Sequence, residues 1–448
     1  MSLRRILAVW AAKVTEKISV HIFHKQGVTW AGKIALHICP SILKELSSQV
    51  KRDIFMVCGT NGKTTTNNTL CAALEAEGFR VVCNHTGSNM LNGVAAAFVL
   101  SAGWNGKLNA DYACLEVDEA STRRVIPHVK PSYMITTNLF RDQLDRYGDI
   151  DSIANLFIEV MKKAPNMKVI VNADDALTSY IALEAGNTLI TYGINEPVLQ
   201  GKASSEMHEG RFCRKCGAPL SYEFHHYSQL GKYACTSCGF TRPDVMYNAS
   251  DISVSDHLEF TVGDRKIVAN YKGFYNVYNL LAVYAALQSA SVDAKHLDEV
   301  LASYQPGNGR MESFEIQGTK ILLNLAKNPA GFNQNIAAVL QDSSEKDLIL
   351  QVNDKSQDGI DVSWLWDIDF ADLKDANVRS IAACGMRRHD LGLCLKYLDI
   401  PVTVEEDIEK VIRDRVENGC KNLYILVNFT PLMETRAVIK RLEERSHE

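Results

Sequence analysis

No run of apolar residues in this chain is long enough to cross a bilayer, and no apolar core followed by a small-residue cleavage site marks a leader near the N-terminus. A basic surplus is also missing. The formal net charge of -5 argues against a general nucleic-acid coat, which needs a positive surface to meet phosphates. Disulfide architecture is missing too. Of twelve cysteines, four fall into two C-x-x-C pairs and eight are scattered, mostly inside apolar stretches. That is the pattern of a reducing compartment with one metal site. Together these absences give the expectation of a cytoplasmic protein. What is present has a globular balance, 46% hydrophobic and 23% charged over 448 residues. That length exceeds one ordinary core, so two or three domains are expected.

Residues 3 to 24 read as one amphipathic helix in an N-terminal segment of residues 1–40. Leu3, Leu7, Trp10, Val14, Ile18 and Ile22 recur at helical spacing, with Arg4, Arg5, Lys13 and Lys17 elsewhere on its surface. Two readings follow: a helix packed on the next domain, or one lying on a membrane surface at the inner face, where basic residues beside Trp and Leu suit an anionic leaflet. Residues 41–308 alternate between strand and helix. Asp53–Cys58, Tyr112–Val117, Tyr133–Thr137, Val169–Asn172 and Thr188–Tyr192 read as buried strands, and Thr64–Glu77 and Tyr275–Ala290 as helices. Short apolar runs separated by helices predict an α/β domain with a mostly parallel sheet covered on both faces. Residues at about 205–245 break this rhythm and look like an insertion. Gln305–Arg310 has linker composition, and a second α/β unit over 309–448 carries candidate strands at Ile321–Leu325, Asp347–Val352, Ser380–Cys384 and Leu423–Phe429.

Gly59-Thr60-Asn61-Gly62-Lys63-Thr64-Thr65 follows a predicted strand and opens a predicted helix, the setting a phosphate loop needs. Its glycines let several N–H groups face one anion, and the helix N-terminus adds a favourable dipole. Lys63 would neutralise the β- and γ-phosphates of ATP, and Thr64 would place its hydroxyl on Mg²⁺. Val57 stands where the general phosphate loop has another glycine.

Cys213-Arg-Lys-Cys216 and Cys235-Thr-Ser-Cys238 are two knuckles separated by eighteen residues, each followed by Gly (Gly217, Gly239). This spacing predicts a closed tetrahedral zinc ribbon with four cysteine ligands, structural and not catalytic because no ligand position stays open. His225 and His226 lie between the knuckles as rival ligands.

The loop and its surroundings resemble the Mur ligase superfamily, which includes the cell-wall Mur ligases and folylpolyglutamate synthase. Leu115-Glu116-Val117-Asp118-Glu119 is similar to the family segment whose first Glu binds Mg²⁺, which maps to Glu116, with Glu119 as the fallback. Thr137-Asn138 through Asp145-Arg146, Asn172-Ala173-Asp174-Asp175, Asn276-Val277-Tyr278-Asn279 and Gly309-Arg310-Met311-Glu312 follow in family order. The resemblance implies that Asn276 contacts adenine and Arg310 reaches the nucleotide. It implies a Mur ligase-type central ATPase domain, here with the inserted ribbon, followed by a C-terminal Rossmann-like α/β domain. Two departures stand out. The family His is Gln143, and the family's carbamylated Lys position is Glu159. Glu159 is expected either to replace the carbamate as a catalytic metal ligand or to be an ordinary exposed helix residue.

Only about fifty residues precede the loop, too few for the separate domain that UDP-substrate ligases carry. The ribbon and Asn324-Leu325-Ala326-Lys327-Asn328-Pro329-Ala330 point to the branch of the superfamily that acts on lipid II. What this implies is ATP-dependent amidation, through an acyl phosphate, of the D-isoglutamate α-carboxylate in the stem peptide. Ammonia needs a source. Ala382-Ala383-Cys384-Gly385-Met386 lacks a nucleophile elbow, so the resemblance implies a GatD-type glutaminase partner. It further implies that an Asp in the Asn353-Asp354 segment completes that partner's Cys–His pair, with Asp358 and Asp361 as rivals and a loop-capping Asp as the plain alternative. Other expectations kept open are a folylpolyglutamate synthase-like or other Mur-type ligase, and a non-catalytic nucleotide-binding scaffold.

Overall fold

The computed structural model describes residues 3–21, 27–140, 150–198, 210–254, 257–270, 273–303, 311–375 and 377–446. Strands β1 (Ile54–Cys58), β2 (Val81–Cys83), β3 (Tyr112–Glu116), β4 (Tyr133–Thr136), β5 (Lys168–Asn172) and β6 (Leu189–Ile194) come first. A hairpin of β7 (Leu220–Tyr227) and β8 (Leu230–Cys235) interrupts them before β9 (Tyr247–Ser253), β10 (Leu258–Val262) and β11 (Arg265–Ala269). Apart from the hairpin these form one nine-stranded sheet, ordered β11-β10-β9-β6-β5-β4-β1-β3-β2. Pairing is parallel from β2 to β9 and antiparallel at β10 and β11. Every residue of β1, β3 and β4 is buried, as expected for strands covered on both faces. The chain leaves β1 for β2 and β3 on one side and reaches β4 on the other. The carboxyl end of β1 is therefore a topological switch point, where a crevice opens.

Two apolar layers cover this sheet. Helix Tyr275–Ser289 contributes Val277, Leu280 and Leu281 to one. The other includes helices Val28–Ile38, Leu91–Ser101 and Ile150–Lys162, and the N-terminal helix Leu3–His21 joins it through Ala8, Val9 and Ala12. That helix packs on the domain, as expected, but not through the expected stripe. Leu3, Leu7, Trp10, Val14 and Ile18 face outward, and Ile22 lies outside the described residues. Small side chains won the inner face because the helices approach closely. At Gly32 a β-carbon would overlap the Asn92 carbonyl, and Ala31, Gly32 and Ala35 are the buried residues of that helix.

A second sheet holds β12 (Glu312–Ile316), β13 (Thr319–Leu325), β14 (Lys346–Gln351), β15 (Val378–Cys384), β16 (Thr403–Val404) and β17 (Asn422–Val427). Its order is β12-β13-β17-β14-β15-β16, with only β12 antiparallel. The four expected strands are all present. The last is shorter than its apolar run, because Phe429 opens helix Phe429–Ser446. No described helix is long and apolar enough to cross a membrane.

The β7–β8 hairpin is tied to the first sheet by buried polar contacts. Arg242, just beyond the second cysteine pair, donates to Asp174 Oδ1 (2.6 Å) and to the Ile194 carbonyl (3.0 Å). Tyr278 donates to the other oxygen of Asp174 (2.7 Å). His226 lies 5.4 Å from the Phe274 ring and 5.0 Å from Phe224, buried between strand and helix. Burial first, and then the nearby Arg242 charge, push its imidazole down to about 4. A His held below its unfolded value contributes stability above pH ~6.5 that is lost as pH falls toward the folded value. Lowering the pH from about 7 to about 5 should therefore cost the protein about 2 kcal/mol of unfolding free energy through this residue. In denaturant titrations over that range the His226→Leu variant should lack that component of the slope; an identical slope in both proteins would refute it.

Candidate functional site

β1 ends in the predicted phosphate loop, and helix Lys63–Ala76 begins directly after Gly62. Gly59 and Gly62 adopt φ of +126° and +82°, in the left-handed half of backbone space. Both are also pressed by neighbours. A β-carbon on Gly59 would lie 2.7 Å from the Asn138 carbonyl, and one on Gly62 would overlap the Asn279 side chain. The Thr-Asn segment after β4 then holds the loop from outside. Asn138 Oδ1 accepts from Asn61 N (2.9 Å), Thr137 Oγ1 donates to Asn61 O (2.7 Å), and Thr60 N donates to Asn138 O (2.8 Å). Thr65, one residue into the helix after Thr64, is buried.

Lys63 is buried, and its ammonium donates to Glu119 Oε1 (2.8 Å) and to the Gly59 carbonyl. Glu119 is thus the counter-ion of the loop lysine. Glu116 is differently placed. It is buried, Oε1 accepts from Asn89 Nδ2 (3.1 Å), and Oε2 has no hydrogen-bond partner. Asn84 brackets its backbone on both sides, accepting from Glu116 N (2.9 Å) and donating to Glu116 O (2.8 Å). A point beside Gly87, where a β-carbon would sit, is 3.7 Å from Glu116 Oε2 and 3.9 Å from Thr64 Oγ1. A buried carboxylate oxygen without a donor, facing a hydroxyl across space that only a glycine leaves free, is a fit for a divalent cation.

Asn279 Nδ2 donates to Asn276 Oδ1 (3.0 Å), both buried at the start of helix Tyr275–Ser289, beside the loop. Asp175 caps helix Ala176–Ala185 and accepts from Leu139 N (2.8 Å); burial raises its carboxyl to about 6 against those hydrogen bonds. Arg310 and Gln143 lie outside the described residues. Glu159 does not join this group. Its side chain is 64% exposed on helix Ile150–Lys162 and pairs with Lys163 four residues on. That is the exposed-helix arrangement, because the carboxylate points to solvent from the outer side of the helix.

The four ribbon cysteines converge. Cys213 and Cys238 sulfurs are 3.6 Å apart, Cys216 and Cys235 sulfurs 3.5 Å, and all four lie within 4.8 Å of one another. A tetrahedral zinc with Zn–S of about 2.3 Å requires separations of about 3.8 Å. Gly217 and Gly239 both take left-handed φ, +76° and +74°, as each knuckle turns. Backbone N–H groups of Cys238 and Ser237 point at the Cys235 sulfur (3.4 Å each) and help to pull its thiol down to about 6. His225 and His226 are not in the cluster; His225 stacks on Tyr222 instead.

In the second sheet, loops at the carboxyl ends of β13, β14 and β17 gather asparagines. Asn353 and Asn428 exchange backbone and side-chain hydrogen bonds of 2.9 and 2.7 Å. Asp354 follows. Arg387 holds its Oδ2 through Nε (2.9 Å) and Nη2, while Oδ1 is buried with no partner. Asp358, by contrast, accepts from Thr430 N (2.7 Å) and Lys355 N (3.2 Å), and Asp361 caps the turn at Ser363 N (2.8 Å). Both rivals are already held by backbone donors, Asp358 partly by the start of helix Phe429–Ser446. Cys384 is fully buried, and burial lifts its thiol to about 12, so it is no nucleophile. Arg387, Asn84, Asn89 and the Lys63–Glu119 pair were not legible in advance, since each works by a contact between distant segments. Only the position of Asn84 and Asn89, just past β2, could have hinted at a role.

Across the two sheets, Asn61 and Asn328 form a reciprocal amide pair, Asn61 Nδ2 to Asn328 Oδ1 at 3.3 Å and Asn328 Nδ2 to Asn61 Oδ1 at 3.1 Å. Asn328 also caps helix Pro329–Gln341 at Gly331 N.

Two family models match the chain: the Mur ligase middle domain over residues 57–287 and the MurT ligase C-terminal over residues 325–432. The sequence is 36% identical over 410 residues to the lipid II isoglutaminyl synthase (glutamine-hydrolyzing) subunit MurT of Staphylococcus aureus (strain COL), covering 91% of this chain and 92% of the relative. It is 30% identical to the protein of the same description from Streptococcus pneumoniae (strain ATCC BAA-255 / R6), covering 92% of each. Among solved structures, a pseudomurein peptide ligase type C from Methanothermus fervidus matches with a TM-score of 0.70 at 21% identity, over 89% of this chain and 80% of that one. MurF from Acinetobacter baumannii matches with a TM-score of 0.65 at 16% identity, over 92% and 80%. At those identities the structural likeness speaks to the fold.

Proposed function

The chain belongs to the Mur ligase family, in its MurT branch, and from that premise we propose that it amidates the α-carboxylate of D-isoglutamate in the lipid II stem peptide, using ATP and ammonia from a GatD-type glutaminase. The observation that carries the reading is the buried Glu116 oxygen, left without a donor opposite Thr64 at the mouth of the phosphate loop. Residues 41–308 are the ATP-binding unit in this reading and 309–448 the C-terminal unit.

The chemistry divides among the residues as follows. A carboxylate oxygen of the substrate attacks the γ-phosphorus of ATP; the bond to the β-phosphate oxygen breaks, and ADP leaves. The nitrogen lone pair of ammonia then attacks the acyl carbon, the carbon–oxygen bond to phosphate breaks, and the nitrogen sheds a proton. Loop N–H groups from Gly59 to Thr65 cradle the phosphates, with Lys63 as the positive charge beside them. Asn276 orients adenine, and Arg310, in the role the family resemblance implies, contacts the nucleotide. Thr64 and Glu116 would hold Mg²⁺, which supplies charge neutralisation on the transferring phosphoryl group. Glu119 keeps Lys63 desolvated and aimed until ATP enters. Glu159, exposed and paired with Lys163, takes no part. The four cysteines would hold a structural zinc, which would fix the hairpin that Arg242 ties to Asp174 and Gln229 ties to Leu139 and Asp175.

Asp354 sits just past the carboxyl end of β14 with its side chain largely buried. Its Oδ2 is fixed by Arg387 and its Oδ1 is left to accept a donor. In the assembled complex it orients the partner's catalytic His, fixing the tautomer and stabilising the imidazolium that forms.

Three outcomes test this. Amidation of lipid II driven by ammonium and ATP, followed by mass spectrometry, should fall roughly 10²- to 10³-fold in Lys63→Ala without loss of the folded state; near-normal turnover would remove the ligase reading. Asp354→Asn should cut glutamine hydrolysis by the complex roughly 10²-fold or more while ammonium-driven amidation survives. Loss of both would move Asp354 into substrate activation, and loss of neither would take it out of the reaction. One Zn²⁺ per chain should co-purify, and Cys213→Ser or Cys238→Ser should lower metal content and thermal stability together. A stable, active, zinc-free protein would end the metal assignment.

A further inference from the structure

The N-terminal helix has an apolar face that the described residues leave largely exposed. Leu3, Leu7, Trp10, Val14 and Ile18 are 71%, 53%, 52%, 46% and 43% exposed. At 100° per residue they occupy an arc of about 80°. The buried residues Ala8, Val9 and Ala12 lie on the opposite side. Single exposed apolar residues are ordinary, but an aligned stripe of five on one helix marks a surface that meets something.

The surroundings say what. Arg4 and Lys17 flank the stripe and are exposed, while Glu16, on the far side of the helix, is its one acidic residue. Trp104 extends the patch: it meets Trp10 edge-on with ring centroids 5.2 Å apart, and the Lys13 and Lys17 ammonium groups sit 5.4 and 5.7 Å from its ring centre. On the neighbouring helix, Trp30 is 62% exposed with Lys33 against its ring at 5.1 Å. Three of the chain's five tryptophans therefore sit on exposed positions of this end of the molecule, and two of them, Trp30 and Trp104, have lysine ammonium groups against their rings. Indole rings with basic side chains next to an aliphatic stripe are the composition of a helix lying in the water–lipid boundary of an anionic leaflet. The chain as a whole carries a formal charge of -5, so a negative membrane repels the rest of the surface and attracts this face.

We propose that the outer face of helix Leu3–His21, with Trp104, docks on an anionic phospholipid surface. Leu3, Leu7, Val14 and Ile18 enter the acyl boundary, the indoles sit at headgroup depth, and Arg4, Lys13 and Lys17 meet lipid phosphates. Its rationale rests in part on the amidation reading, because a lipid-linked substrate is presented at such a surface. The contact itself stands on the helix geometry.

The test is co-sedimentation of the full chain, with its glutaminase partner bound, on phosphatidylcholine vesicles with and without phosphatidylglycerol. No ATP or lipid II is added, so failure here leaves the amidation reading untouched. Binding is expected on the anionic vesicles only and should weaken as salt rises. Leu7→Glu/Val14→Glu, which leaves the buried alanines in place, should weaken it roughly tenfold or more, with an unchanged melting temperature and unchanged amidation of a short-chain, water-soluble lipid II analogue. Arg4→Glu/Lys17→Glu should lower binding to the anionic vesicles by a similar factor. Absence of binding by the unaltered complex, or equal binding by the Leu7/Val14 variant, would overturn the proposal. So would a variant that changes oligomeric state or loses the glutaminase while neither protein binds vesicles, which would assign the face to a second copy or to the partner.

Discussion

At Gly59 and Gly62 the predicted phosphate loop approaches its neighbours so closely that a β-carbon has no place, and the switch-point end of the first sheet is arranged around that closeness. The neighbours are the Thr137-Asn138 segment and Asn279, which come from separate stretches of chain. Each fixes the others. Asn138 satisfies the Asn61 amide, Thr137 satisfies its carbonyl, and Asn279 fills the space over Gly62 while bonding to Asn276. Loop shape is therefore set from outside by buried polar partners, a costly device if any is lost and a rigid one when all are present.

The cysteine hairpin joins the same network. Gln229 reaches from its turn to donate to the Leu139 carbonyl (2.6 Å) and to Asp175 (3.2 Å), and Asp175 in turn receives Leu139 N. Leu139 directly follows Asn138, so the hairpin touches the segment that shapes the loop. Among the buried carboxylates of the described residues, Glu116 and Asp354 are left half satisfied, each with one oxygen bonded and one bare. They lie in different units, at the carboxyl ends of parallel strands, where functional groups gather in open α/β sheets.

Much of this was readable in the chain itself, for identifiable reasons. Strands buried on both faces, such as β1 and β3, announce themselves as unbroken apolar runs. The hairpin β10–β11 and strand β12 do not, because their burial alternates and half of each strand is polar. Glycine-rich loop, paired cysteines and Asn-Asp segment carry their chemistry in consecutive residues and could be placed by number. What escaped depends on contacts over long sequence separations: Glu119 against Lys63, Arg387 against Asp354, Arg242 against Asp174. The N-terminal helix shows the commonest error of periodicity. Spacing identifies an apolar face but not what it faces, and here alanines, too small to stand out in the pattern, took the inside.

The Asn61–Asn328 pair has a consequence for how the two units come together. It links the phosphate loop to the first turn of the C-terminal unit's helix through two neutral hydrogen bonds, together worth about 1–3 kcal/mol. A latch of that strength favours the observed contact over its loss by a factor of roughly ten to a hundred. Because neither amide ionises, the setting of this latch is indifferent to ionic strength and to pH across the range in which proteins survive. The phosphate capture proposed for the same loop would not be, since it would weaken as counterions accumulate. The contact between the two units and the proposed nucleotide affinity, though they share Asn61's neighbourhood, would thus answer to different features of the solution.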